Sequence, residues 1–188
     1  MDTIYKSDTK RVFLTFDDGP SPVTSKILDI LKQENVKATF FILGSNVDSR
    51  KDVVKRMYEE GHYLANHGYS HTYSKIYSSP QSVLDEYNEC NDKVKNAIEV
   101  PDYNSHLFRF PGGLAGGKYA EIKKEAKELL LQNNIVNVDW NALTGDAETN
   151  NLSVEFEMTR LTETMESKNS LVILMHDAAA KSVTADAL

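Results

Sequence analysis

From Val12 to Met175, short runs rich in Val, Ile, Leu and Phe alternate with stretches whose apolar residues recur at helical spacing. Residues 12–16, 38–43, 62–66, 106–110, 135–140 and 171–175 read as strands. Between the first two, Pro20, Ser21 and Pro22 open a helix striped by Val23, Ile27, Ile30 and Leu31. A second helix, 51–60, stops at Gly61, a residue that suits a helix end. Ser79 and Pro80 give the next helix a cap and a first-turn proline, and Val83, Tyr87, Cys90, Val94 and Ile98 give it an apolar stripe. Helices over 119–132 and 153–168 separate the last strands. Strict strand–helix alternation implies a parallel sheet with helical crossovers. A closed or nearly closed barrel is the expected form, with an open doubly wound sheet as the alternative. In either, a site forms at the C-terminal ends of the strands.

The 188 residues suit a single domain, 1–188, with a core of its own. A formal charge of −7 leaves no excess of Lys and Arg to neutralise phosphates, which argues against a nucleic-acid partner. No apolar run reaches the roughly 20 residues of a membrane-spanning helix. Cys90 is the only cysteine, so no internal disulfide forms.

The unusual polar residues fall where the architecture asks for them. Asp17 and Asp18 follow the first strand, His67 and His71 the third, and Arg109 the fourth; Asp139 and Trp140 end the fifth, and His176 and Asp177 the last. Two adjacent carboxylates repel unless a cation or strong donors lie near. Asp-Gly-Pro is also ordinary turn chemistry, so Asp17–Asp18 alone decides nothing. Two histidines four apart can hold one ion if the segment makes a helical turn, and an added carboxylate leaves a coordination position open for water. A lone histidine pair is more often structural. Arg109, at a poorly solvated strand end, needs a carboxylate, and Asp17 is the candidate. Pro111-Gly112-Gly113 lets backbone N–H groups approach a ligand. His176 near an aspartate such as Asp139 suits general-acid work. His62 and His106 have no such context and read as structural.

These residues resemble the motifs of the polysaccharide deacetylase family, also called the NodB homology domain or carbohydrate esterase family 4. TFDDGP at residues 15–20 matches its first motif. HGYSH at 67–71 is similar to the second, with Gly68 in the Ser/Thr position. FRFPGG resembles the third, Asp139-Trp140 the fourth and Leu174-Met175-His176 the fifth. The resemblance, to the branch acting on bacterial peptidoglycan, covers residues 11–177. It implies a distorted (β/α) barrel of parallel strands. It implies Asp17 as catalytic base, Asp18, His67 and His71 as ligands of one divalent metal, Arg109 paired to Asp17, His176 as general acid and Asp139 tuning it. Trp140 and Leu174 would receive the acetyl methyl, and Gly112 would present its N–H to an oxyanion. Zinc is the expected metal, with cobalt, nickel or manganese as alternatives.

The expected activity is removal of N-acetyl groups from an acetylated polysaccharide, peptidoglycan first, in the cell envelope. An O-acetyl esterase acting on a xylan-like polymer and a silent, metal-bearing glycan-binding module are the rivals. Two departures stand out. Gly112 replaces a tyrosine usual in the third motif. The chain also stops inside the helix that usually follows the fifth motif, so a barrel incomplete at its C-terminal end is expected.

Overall fold

The computed structural model describes residues 2–149 and 151–188. Seven strands, β1 Arg11–Asp17, β2 Thr39–Ile42, β3 Tyr63–Asn66, β4 Leu107–Phe108, β5 Val136–Asn137, β6 Ala142–Leu143 and β7 Ser170–His176, form one sheet. Its order is β5-β4-β3-β2-β1-β7-β6, and every pair is parallel. The sheet curls into a half-barrel, the fold expected from the sequence. Its edges, β5 and β6, share no ladder. Residues 138–141 cross the gap, Val138 N–H donating to Phe108 O and Asn141 N–H to Val172 O.

The helices are α1 Asp2–Tyr5, α2 Pro22–Gln33, α3 Gly44–Val47, α4 Lys51–Glu59, α5 Tyr73–Ile76, α6 Pro80–Ile98, α7 Ala120–Gln132, α8 Val154–Met165 and α9 Ser182–Asp186. Ser21 caps α2 through its hydroxyl, and Ser79 does the same for α6, each followed by proline in the first turn.

Side-chain alternation sorts the strand residues onto two faces, while Phe108 of β4 joins a further cluster with Phe110, Tyr87 and Leu130. Phe16, Phe40, Ile42, Leu64, Ile173 and Met175 face outward into the cluster under α2, α4 and α6. Phe41, Ala65 and Val172 face inward, with Ile4 and Tyr5 of α1 packed against them. The same parity turns Thr15, Asp17, His67, Arg109, Leu174 and His176 toward the barrel interior. Burial on both faces is why the strands read as continuous apolar runs rather than as alternating ones.

β6 and the crossing segment before it were not foreseen: residues 135–140 read as one strand, whereas only Val136–Asn137 pairs. The chain leaves the sheet there to reach the other edge.

Candidate active site

Arg109 is fully buried and spans the barrel interior. Its Nη1 donates to Asp17 Oδ1 at 2.7 Å and to Thr15 Oγ1 at 2.8 Å. Nε donates to Val138 O at 2.9 Å and Nη2 to Asp139 O at 3.1 Å. Its guanidinium carbon lies 3.9 Å from the centroid of the Phe41 ring. One side chain thus joins the end of β1 to the segment crossing between the sheet edges.

Asp17 and Asp18 part company at the end of β1. Asp17, in extended backbone, points inward and is 2 % exposed. Asp18 takes φ 74°, a left-handed conformation that aspartate tolerates better than most residues, and leaves the strand. Asn46 Nδ2 donates to its carbonyl at 2.9 Å. Gly19 is required next, because a Cβ there would stand 2.0 Å from the buried Asp177 carboxylate. Burial pushes the Asp17 carboxyl above its ordinary range, although Arg109 and His176 pull the other way.

His67 and His71 meet Asp18, though through no helical turn. Gly68 at φ 83° and His71 at φ 53° make the segment an irregular loop. Asp18 Oδ1 lies 3.5 Å from Nε2 of each histidine, and the three candidate ligand atoms fall within 4.8 Å of one another. His67 Nδ1–H donates to Arg109 O at 2.8 Å, which fixes the ring and leaves Nε2 as a lone-pair donor. Burial, with the His71 and Arg109 charges assisting and Asp18 opposing, holds the His67 imidazole neutral, its pKa pushed down to about 3.

The loop is shaped from outside the barrel. Glu86 of α6 accepts from the Tyr69 and Ser70 N–H groups at 2.8 and 2.6 Å and from the Ser70 hydroxyl at 2.6 Å. Asn66 Oδ1 accepts from Gly68 N–H at 2.9 Å.

A divalent cation fits this donor set. Asp18 Oδ1 is buried yet has no hydrogen-bond partner, an arrangement that is costly unless something positive sits beside it. Two imidazoles and a carboxylate make a three-residue site of the kind that leaves a position open.

His176 ends β7 beside Asp17. Its Nδ1 lies 2.8 Å from Asp146 Oδ1, and its backbone N–H donates to Asp146 Oδ2 at 2.7 Å. Burial opposes protonation, but the Asp146 hydrogen bond and the charges of Asp146, Asp17 and Asp18 together raise the imidazole pKa to about 9. The aspartate beside His176 is therefore Asp146, and the expected partner Asp139 is placed elsewhere. Asp139 lies in the crossing segment, where its Oδ2 accepts from Leu114 N–H at 3.1 Å. Gly145 at φ 72°, just after β6, turns the chain so that Asp146 faces β7. Thr144-Gly145-Asp146 after the apolar pair Ala142-Leu143 was the available signal, masked by the brevity of β6.

Trp140, Leu174 and Gly112 line one cleft of about 340 Å³ with Asp17, Asp18, His67, His71 and His176. Tyr77 Oη donates to Pro111 O at 2.7 Å and Lys123 Nζ to Gly113 O at 2.6 Å, which pins the FPGG turn. A Cβ on Gly112 would stand 2.5 Å from the Tyr73 hydroxyl, so the missing motif tyrosine leaves room for a phenol arriving from another strand end. His62 and His106 stand apart: His62 Nδ1 accepts from Ala38 N–H, and His106 Nδ1 bonds Asn134 O.

Comparison with known proteins agrees with this geometry. The family model described as polysaccharide deacetylase matches residues 5–132. A peptidoglycan-N-acetylglucosamine deacetylase of Bacillus cereus (strain ATCC 14579) is 33 % identical over 181 residues, which cover 95 % of this chain and 63 % of that protein. The structure of a Streptococcus mutans CE4 esterase superposes with a TM-score of 0.87 at 34 % identity, over 96 % of this chain and 79 % of that one. The catalytic domain of a peptidoglycan N-acetylglucosamine deacetylase from Eubacterium rectale ATCC 33656 superposes with a TM-score of 0.86 at 30 % identity, over 97 % and 84 %. The chain spans less than two thirds of the curated Bacillus cereus relative. On its motifs, its half-barrel and these matches, the chain belongs to the polysaccharide deacetylase family.

Proposed function

We propose that this chain is a metal-dependent hydrolase that removes N-acetyl groups from an acetylated polysaccharide, releasing acetate, and that its polymer is peptidoglycan, met in the cell envelope. The reading is supported above all by one arrangement: a buried carboxylate and a protonated imidazole, on adjacent strands, beside three converging metal-type ligands. Binding alone needs no acid and base. The peptidoglycan deacetylases among the relatives favour that polymer.

Asp18, His67 and His71 would hold the cation, with zinc favoured by the N and O donors and cobalt, nickel or manganese also suited. When bound, such a cation supplies Lewis acidity to an acyl carbonyl and lowers the pKa of water held there. Asp17 takes the proton from the attacking water, its raised pKa making it a better base than an ordinary carboxylate. Arg109 holds Asp17 in place. Gly112 N–H donates to the oxyanion that forms on the carbonyl, and Trp140 and Leu174 wall in the acetyl methyl. His176, its Nδ1 held by Asp146, delivers a proton from Nε2 to the departing amine.

Mass spectrometry of glycan fragments, with and without chelator, tests this on peptidoglycan, chito-oligosaccharides and acetylated xylan. Loss of acetyl groups from the first, abolished by chelator, is expected. Asp17→Asn should slow acetate release at least about 10²-fold with metal retained. Near wild-type rates in that variant would remove Asp17 as base. Release from xylan alone would make the chain an esterase, and release from none a binding module.

A further inference from the structure

A second cleft, of about 380 Å³, opens on the far side of Asp18 and His71, which line both clefts. The two are lobes of one trough divided by the metal-type ligands. Pro20, Pro22, Ala178 and Ala179 give the second lobe smooth, small walls. Opposite stand Asn46, Ser49 and Arg50, at the entrance to α4.

Arg50 is half-buried, yet its guanidinium makes no hydrogen bond or ion pair among the described residues. The other cations nearby are engaged: Lys51 and Lys93 share Asp48. Among the described residues lining the lobe the one carboxylate is Asp18, whose Oδ1 faces His67 and His71. In a chain of net charge −7, where acids outnumber bases, Arg50 still stands without an acid partner among the described residues. No guanidinium nitrogen of Arg50 is among the buried atoms left without a partner, so its donors stay open to the cleft, and their planar fork matches a carboxylate.

We propose that this lobe is a subsite for a carboxylate carried on the sugar next to the one that is deacetylated, read by Arg50. The proposal rests on the deacetylase reading and deepens it. It selects a glycan that bears carboxylates, as peptidoglycan does and chitin does not. The carboxylate comes either from the lactyl ether of muramic acid or from a peptide attached to it; the chemistry at Arg50 is the same.

The test compares kcat/KM for acetate release on four probes of equal length. They are a chito-tetramer, an alternating N-acetylglucosamine–N-acetylmuramic acid tetramer with free lactyl carboxylates, its methyl ester, and the same tetramer bearing stem peptides. The wild-type protein is expected to prefer an acid-bearing probe over the methyl ester by about tenfold, or about 1.4 kcal/mol. Preference for the free lactyl or for the peptide form identifies the source. Arg50→Gln should bring the acid-to-ester ratio near unity and Arg50→Lys should keep part of it, whereas Lys51→Gln, outside the lobe, should leave it unchanged. An unaltered ratio in Arg50→Gln overturns the subsite. Calorimetric binding of the same probes to Asp17→Asn reads the subsite without turnover. Absence of acetate from every probe would therefore sink the deacetylase reading alone, and equal binding of acid and ester would sink the subsite alone.

Discussion

At the end of β7 one carboxylate, Asp146, holds both the ring and the backbone N–H of His176. Removing its charge removes the main support for an imidazolium that burial opposes. The proposed mechanism needs this ring protonated, so activity should fall as pH rises through about 9, and fall on the acid side as Asp17 takes up a proton. Asp146→Asn should move the alkaline limb of the pH–rate profile to lower pH, whereas Asp139→Asn should leave that limb in place; the reverse result would restore Asp139. Asp177 makes a second residue-level case. Burial first, then the Asp18 and Asp17 charges, raises its carboxyl to about 7, while Thr24 Oγ1 donates to it at 2.6 Å. The folded state prefers the neutral acid, so this contribution to stability is complete below about pH 4 and is lost as pH rises through about 7. Thermal unfolding of chelator-treated Asp177→Asn should show a flatter curve across that window than the wild-type protein.

At the scale of elements, the HGYSH loop owes its shape to α6. Three hydrogen bonds to the Glu86 carboxylate replace the helical turn that a spacing of four suggests. Glu86→Ala should weaken metal affinity by about 10- to 100-fold, the usual cost of losing support behind a ligand, and calorimetric titration of zinc checks it. An unchanged affinity would mean that the loop holds its own form. Strands β1, β3 and β7 were legible because each is an apolar run with polar residues directly after it. β6 was not, because two residues carry no periodicity. That blind spot made Asp139, which follows a visible apolar run beside the lone tryptophan, look like the partner of His176. Separate roles for Asp17 and Asp18 were expected from the motif resemblance, but the strand parity and positive φ that aim them apart are not written in two identical letters.

Across the whole molecule, the site draws on residues far apart in sequence. The candidate ligands come from the ends of β1 and β3, with β2 between them in the sheet. A cation that binds only the assembled site stabilises the fold by mass action, about 2.7 kcal/mol at a hundredfold excess over Kd, or roughly 5–10 °C in Tm for a chain this size. Differential scanning fluorimetry with zinc should show that rise, and Asp18→Asn should abolish it. A parallel sheet with helical crossovers was readable from the alternation, and the distorted barrel and the order of the motifs from the family resemblance. The joining of the sheet edges by the guanidinium of Arg109 was not, because it depends on where residues 138–141 pass.

Asp17 and His176 are direct neighbours in the β1–β7 ladder. Adjacent parallel strands lie about 4.8 Å apart, a separation dictated by peptide geometry and common to every such sheet. The gap across which the proposed proton donor and acceptor would face one substrate is therefore inherited from the backbone rather than tuned by side-chain volume. Drift in the surrounding hydrocarbon can erode the melting temperature of such a protein while its working parts stay the same distance apart.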